Sequence, residues 1–356
     1  MTKPSLLIIS VGQLGTNILE AVARANLFDR IVIAGRDGRL AQERANGAMV
    51  GAGLEGAYPD IKAAELDVGA PSFVNDIRRL SPDFVLTTAS LMPWWKVGES
   101  RAPKLPFGGY VSLHLSLARL FRDRLADADL GAKWINASYP DVVNPILGKT
   151  GCGPLCGIGN VQEPLPKIIH GLCSELNVPP SDVRVRLVAQ HAFEYYVFSE
   201  DTGGNPPPHL LYAEVNGEDK TALAEEILFR PFAFRYDLFF NRVTASAAVE
   251  ALAALTSDKP SFVHMPGVLG LVGGYPVTVD GGAVRLDLHD DWTEADAHDV
   301  NRRSLRWEGI ETIENDGTIL FTEEAQIAFR ALVGRPIEGL RLDDAQDHAN
   351  RILAAL

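Results

Sequence analysis

The stretch "LLIISVGQLGTNILEAV", Leu6 to Val22, decides how the rest of the chain is read. Residues 5–10 are a near-continuous apolar run, as in a strand buried on both faces. Residues 16–27 then carry apolar side chains at Ile18, Leu19, Val22 and Ala23, the spacing of one helix face. Strand, glycine turn and helix in that order are the context of the dinucleotide fingerprint G-x-G-x-x-G. Ser10-Val11-Gly12-Gln13-Leu14-Gly15 fills it except at the first glycine, where Ser10 stands. In that reading Gly12 lets backbone N–H groups approach a pyrophosphate, and Gly15 lets the helix sit close on the strand. Ser10, in place of the tight-turn glycine, predicts a negative φ and a hydroxyl on the cofactor side.

Two glycines alone are an ordinary turn; the alternation that follows gives them weight. "RIVIAGRD" reads as a second buried strand ending at Ala34, residues 39–50 as a helix and "KAAELDV" as a third strand. Residues 82–90 and 132–138 read as the fourth and fifth, separated by a tryptophan-bearing loop and a long helix over about 109–127. Alternating strands and helices imply right-handed crossovers and a doubly wound parallel sheet. The second half changes character. "DVRVRLVAQHAFEYYVF" and "HLLYAEVNG" suggest antiparallel strands, residues 242–257 a helix, and "GYPVTVDGGAVRLDL" a hairpin about Gly-Gly. The expected division is a Rossmann dinucleotide-binding domain over 1–147 and a mixed α+β domain over 148–356, with 199–209 a Pro/Gly-rich surface loop.

The bulk composition agrees with two lobes: 356 residues, 46% of them hydrophobic, exceed one compact core. A net charge of −13 with no offsetting basic cluster argues against nucleic acid or an anionic membrane as partner. Three cysteines, Cys152, Cys156 and Cys173, argue against a disulfide scaffold and fit a reducing, cytoplasmic setting.

At the end of the second strand an NAD site usually places an acidic residue for the ribose hydroxyls. Here Gly35 and Arg36 leave room for a 2′-phosphate and supply a guanidinium to pair with it, which favours NADP(H) over NAD(H). Asp37 competes, because it could still take a ribose hydroxyl.

A collinear series of segments over about residues 5–310 resembles the lactate/malate dehydrogenase superfamily. "RDGRLAQERANGAMVGAG" resembles its segment after the second strand; "WKVGESRAPKL", with Gly98–Arg101, its mobile loop; "INASYPDVVNP" its strand ending in Asn-Pro. "CGIGNVQEPLPK" resembles its Gly-x-Gly helix start, and "LVAQHAFEYYV" its histidine segment. The resemblance implies hydride transfer between a nicotinamide and a carbonyl or secondary alcohol, with cofactor contacts extending to Thr88, Ala89, Ser90 and Asn136. It puts His191 at the general acid/base, Glu163 at the carboxylate that orients it, and Arg101 at the loop arginine that polarises the carbonyl. A histidine suits that role because its ordinary pKa lies near neutrality. A homodimer is implied by analogy.

The substrate side departs from the pattern. Pro166 stands at the family's substrate-carboxylate arginine, and the adjacent Lys167 cannot make the bidentate fork. Trp94 and Trp95 occupy the discriminating loop position, and Tyr139 falls at the family's asparagine, unless Asn144-Pro145 is the true match. A wall of Trp94, Trp95 and Tyr139 suits a larger, more apolar or ring-shaped substrate than a simple 2-oxo acid, and Ser246 is a further substrate-side candidate. Two alternatives stand beside this reading. Cys156 and His191 echo the metal site of the superfamily's NAD-dependent glycosidases, although no zinc pattern is present and no metal is expected. The other is a non-catalytic NADP(H)-binding regulator. After about residue 310, "TEEAQIAFRALVG" and "LDDAQDHANRILAAL" read as helices for packing or a subunit interface, with Asp343 or Asp344 as an N-cap and His348 on the surface.

Overall fold

The structure is a computed structural model that describes residues 3–201 and 204–356. The apolar run forms β1 (Ser5–Ile9), every residue buried, and the glycine turn opens α1 (Gln13–Ala25). β2 (Arg30–Gly35), α2 (Gly38–Leu54), β3 (Asp60–Glu65), α3 (Phe73–Leu80) and β4 (Phe84–Thr87) follow as the alternation requires. The tryptophan loop contains a short α4 (Trp94–Glu99) and leads to α5 (Ser112–Ala128), β5 (Lys133–Asn136), α6 (Pro140–Lys149) and β6 (Cys156–Gly157). These strands make one parallel sheet in the order β3-β2-β1-β4-β5-β6. The order reverses between β1 and β4, and the carboxyl ends of those strands open the crevice where doubly wound sheets hold ligands. β6 lies beyond the expected boundary at 147, so the sheet draws its last strand from the second half.

The second half contributes α7 (Leu165–Leu176), β7 (Val183–Val188), α8 (Glu194–Val197), β8 (Leu210–Val215), β9 (Glu218–Asp219), α9 (Thr221–Leu228) and α10 (Phe240–Thr256). β7 and β8 pair antiparallel as expected. The strand predicted to run on to residue 198 stops at Val188. There the Gln190 side chain accepts a hydrogen bond from Ala192 N at 2.8 Å, and helical turns bury Phe193 and Val197 on one side. Thr202 and Gly203 of the predicted surface loop lie outside the described residues. β10 (Ser261–Pro266), β11 (Gly274–Asp280) and β12 (Ala283–Leu286) form a second antiparallel sheet, and Gly281 and Gly282 both take positive φ in the hairpin turn.

After α11 (Glu294–Ser304) the chain forms β13 (Ile310–Ile313), β14 (Ile319–Phe321), α12 (Glu323–Val333), β15 (Gly339–Leu340) and α13 (Ala345–Ala355). This segment packs inward: Phe321, Phe329, Ala349 and Ile352 share a core with Val111, Leu115 and Phe121 around α5. His348, expected on the surface, is buried and hydrogen-bonds Ser112 Oγ at 2.8 Å, with burial lowering its pKa to about 4. Asp344 is the N-cap residue of α13 without a side-chain bond, while Asp343 pairs with Arg119 at 2.6 Å.

Candidate active site

The carboxyl ends of β1, β4 and β5 border a cleft of about 530 Å³. On one side lies the glycine turn. Gly12 caps α1 with extended backbone and no side-chain bond, so the first N–H groups of the helix are free to take an anion. A Cβ at Gly15 would stand 2.1 Å from the Ser10 carbonyl oxygen, so only glycine fits. Ser10 corrects the expectation of negative φ: it takes +122°, a conformation glycine adopts freely, and its hydroxyl accepts from Gly12 N at 3.3 Å. The turn geometry outweighs the side chain at a cost of about 1–3 kcal/mol. Ser10, Gln13, Leu14, Thr88 and Ser90 line the cleft. Asn136 lies behind it, donating to Ser138 O and Asn144 Oδ1, and Ala89 O accepts from Ser138 Oγ. At the end of β2, Arg36 is exposed, while Asp37 accepts from Leu40 N at 2.9 Å as the cap of α2.

On the other side stands His191. Its Nδ1 hydrogen-bonds Glu308 Oε1, leaving Nε2 as the nitrogen available to a ligand. Its backbone N–H donates to Asp141 Oδ2 at 2.6 Å. The carboxylate bonded to the ring is therefore Glu308; Glu163, expected there, instead accepts from Thr244 Oγ1 at 2.8 Å. Glu308 is 1% exposed and also accepts from the Tyr139 hydroxyl and the Gln190 amide. It sits in a turn ended by Gly309 at φ +80°, where a Cβ would meet Pro106. No local pattern marks Glu308, because it reaches the histidine across 117 positions of chain.

Burial by itself would depress the His191 pKa, but the Glu308, Asp141 and Glu163 carboxyls more than offset it, and the net direction is upward. Asp141, which also accepts from Asn160 Nδ2 at 2.8 Å, is raised to about 7 by burial even against the pull of His191. His114 also lines the cleft and is held neutral, near 4, by burial and the proximity of His191. Phe107 lies against the His191 ring at 4.8 Å between centroids and against Tyr139 at 4.8 Å.

The remaining expected substrate residues divide. Trp94, Trp95 and Tyr139 line the cleft, and the two indoles meet edge to face at 6.1 Å. Asn144 does not: it is buried, donating to Gly267 O, which leaves the cleft position to Tyr139. Arg101 is exposed and outside the cleft lining. Lys167 gives its ammonium to the carbonyls of Val197, Leu228 and Arg230 at 2.7–2.8 Å, with burial lowering its pKa to about 8. That locks α7 to the ends of α8 and α9 and removes Lys167 from substrate binding. Ser246 bonds back to Arg242 O, whereas Thr244, two positions earlier on α10, faces the cleft. Cys156 is fully buried in β6, burial pushes its thiol up to about 12, and it does not line the cleft, so a Cys156–His191 metal site is not formed.

No protein-family model matches the chain, and no curated protein matches it. Solved structures do. A Cryptosporidium parvum malate dehydrogenase aligns over 86% of this chain and 96% of its own, at 17% identity and TM-score 0.59. A lactate dehydrogenase from a Medee basin deep-sea metagenome library covers 86% and 97% at 14% identity and TM-score 0.61. The fold is that of the lactate and malate dehydrogenases. A Cryptosporidium parvum lactate dehydrogenase, solved with lactic acid and β-nicotinamide adenine dinucleotide, covers 86% and 96% at 18% identity and TM-score 0.56.

Proposed function

We propose that this protein is a nicotinamide-dinucleotide-dependent oxidoreductase interconverting a carbonyl and a secondary alcohol. One observation carries the reading: a histidine oriented by a buried carboxylate shares its cleft with an uncapped helix N-terminus behind a glycine turn. Gly12, Gln13 and Leu14 would hold the pyrophosphate, with Thr88 and Ser90 next along the cleft. When bound, the dinucleotide supplies or accepts the hydride. His191 Nε2 donates a proton to the substrate oxygen in reduction and takes it back in oxidation. Glu308 fixes the ring tautomer and stabilises the imidazolium. Phe107, Tyr139 and the tryptophans of α4 cover the site and exclude water. The test is titration with NADPH and NADH by nicotinamide fluorescence, followed by cofactor oxidation with a panel of carbonyls. Absence of binding ends this reading; binding without turnover supports the regulator instead.

NADP(H) is the favoured form, on the strength of Arg36 at the end of β2 and of Asp37 being occupied as the α2 cap. The Cryptosporidium parvum lactate dehydrogenase of the same fold was solved with β-nicotinamide adenine dinucleotide, which supports NAD(H) as the competing form. Arg36→Ala is expected to raise the NADPH dissociation constant about tenfold, the loss of one charge-assisted pair, with NADH within about twofold. An unchanged NADPH constant would remove the preference.

The proposed assembly is a cytoplasmic homodimer. Met49, Val50, Leu54 and Tyr58, on α2 and just after it, are 51%, 58%, 85% and 81% exposed, an apolar surface for a second copy to cover. Leu54→Asp is expected to sediment as a monomer where the parent chain is a dimer; two identical profiles would refute this interface.

A further inference from the structure

The cleft lacks the guanidinium fork that the carboxylate of a 2-oxo acid would need. Among the described residues no arginine lines it, and its lysine, Lys104, is bound to the carbonyls of Val97, Gly98 and Ser100. Acidic groups are present instead. Glu194, 4% exposed, lines the cleft at the start of α8 and hydrogen-bonds the Glu163 carboxyl behind it. Two carboxyl groups bonded to each other share one proton, so the pair carries one negative charge. Glu163 is anchored by Thr244 Oγ1 at 2.8 Å. Asn241 Nδ2 has no acceptor partner, although Asn241 is 4% exposed at the same wall.

Around Glu194 stand aromatic rings. Tyr195 and Tyr236 lie 5.4 Å apart and Tyr236 and Phe240 5.1 Å, all three lining the cleft, and the Tyr236 hydroxyl donates to Glu194 O at 2.7 Å. Ring faces beside an anionic carboxyl group form a site for an organic cation, because the ring quadrupole and the charge attract it together. An unpartnered buried amide donor beside them suits an oxygen on the same ligand.

We propose that the Glu163–Glu194 pair, with Tyr195, Tyr236 and Phe240, is a substrate-recognition subsite for a protonated amine, so that the carbonyl or alcohol turned over carries an ammonium group instead of a carboxylate. This rests on the cleft being the hydride-transfer site. It also accounts for the absence of the substrate arginine: the charge that selects the substrate is inverted.

The test uses three probes of one skeleton, 3-phenylpropylamine, 3-phenylpropanol and 3-phenylpropanoate, titrated calorimetrically into NADPH-loaded protein at pH 7.5. The amine is expected to bind about tenfold or more tighter than the alcohol, and the carboxylate weakest. In Glu163→Gln/Glu194→Gln, which keeps amide hydrogen bonding and removes the charge, the amine's advantage is expected to fall within about twofold. Thermal melting and NADPH affinity of the variant establish that it is folded, and Glu194→Gln alone provides a milder second variant with the same direction. Preference for the carboxylate, equal or undetectable binding of all three, or an amine preference that survives the double substitution overturns the proposal. Carbonyl turnover on the same preparation judges hydride transfer separately, so a cleft that reduces carbonyls yet prefers anions sinks only the amine subsite.

Discussion

Glu308→Gln is expected to lower kcat/KM for carbonyl reduction at pH 7.5 by about 10²- to 10⁴-fold, while the dissociation constant for the cofactor stays within about twofold. The amide can still accept from the Tyr139 hydroxyl, so the fold around it should survive. What disappears is the Glu308 negative charge beside His191 Nδ1, the largest influence opposing the downward pull of burial on that ring. With its pKa raised, wild-type His191 carries the proton for reduction above the ordinary value of about 6.5, and loses it as pH rises through the folded value. The variant's descending limb should therefore move to lower pH, and oxidation, which needs the neutral ring, should rise earlier. Stability follows the same sign. The ion pair contributes fully below about pH 6.5 and its contribution is lost as pH rises through the raised folded value, so the gap in Tm between wild type and variant narrows upward. Combining Glu308→Gln with His191→Ala should add little to His191→Ala alone, because the carboxylate acts through the ring. A pH profile with an unmoved limb, or additive losses in the double variant, would refute the role of Glu308.

Gly15→Val should abolish measurable cofactor binding, weakening it about 100-fold or more, and destabilise the fold by about 3 kcal/mol. The reason is a backbone collision. Any Cβ at this position lies 2.1 Å from the Ser10 carbonyl oxygen and 3.2 Å from Thr88 Oγ1, and a backbone carbonyl cannot turn away as a side chain can. Helix α1 must lift off the sheet, carrying its N-terminal N–H groups away from the phosphate position. Gly12 is the contrasting control. A Cβ there meets only the Ser10 hydroxyl, at 3.3 Å, so Gly12→Ala should fold normally and lose affinity alone. Thermal melts and fluorescence titrations of the two variants separate these outcomes; a Gly15→Val protein with wild-type affinity would show that the turn is not the cofactor site.

Much of the fold is legible in the chain because it rests on local rules. A buried parallel strand announces itself by a continuous apolar run, and its crossover helix by a repeating apolar face, so β1, α1, β2 and β5 can be placed from residues close in sequence. The hairpin of β11 and β12 is legible for the same reason, since Gly281 and Gly282 can both take positive φ. Short-range patterns failed where a local preference was overruled. Ser10 takes glycine's backbone because strand and helix fix the turn from both sides, and residues after Val188 leave the strand because Gln190 caps a helical turn instead.

The site was less legible, and for one reason. His191 could be found from its segment, but the carboxylate that tunes it, Glu308, lies in a turn following α11, and the pairing of Glu163 with Glu194 depends on how α7, α8 and α10 come together. The amino-acid sequence by itself determined the glycine turn, the parallel sheet and the position of the histidine segment, because hydrophobic period and turn chemistry act over a few residues. Only the tertiary structure decided which carboxylate holds that histidine, that Lys167 is consumed by three carbonyls, and that Glu194 reaches the cleft wall beside Glu163. Those outcomes depend on desolvated charges meeting across distant segments, where separation in space and not in sequence sets the energy.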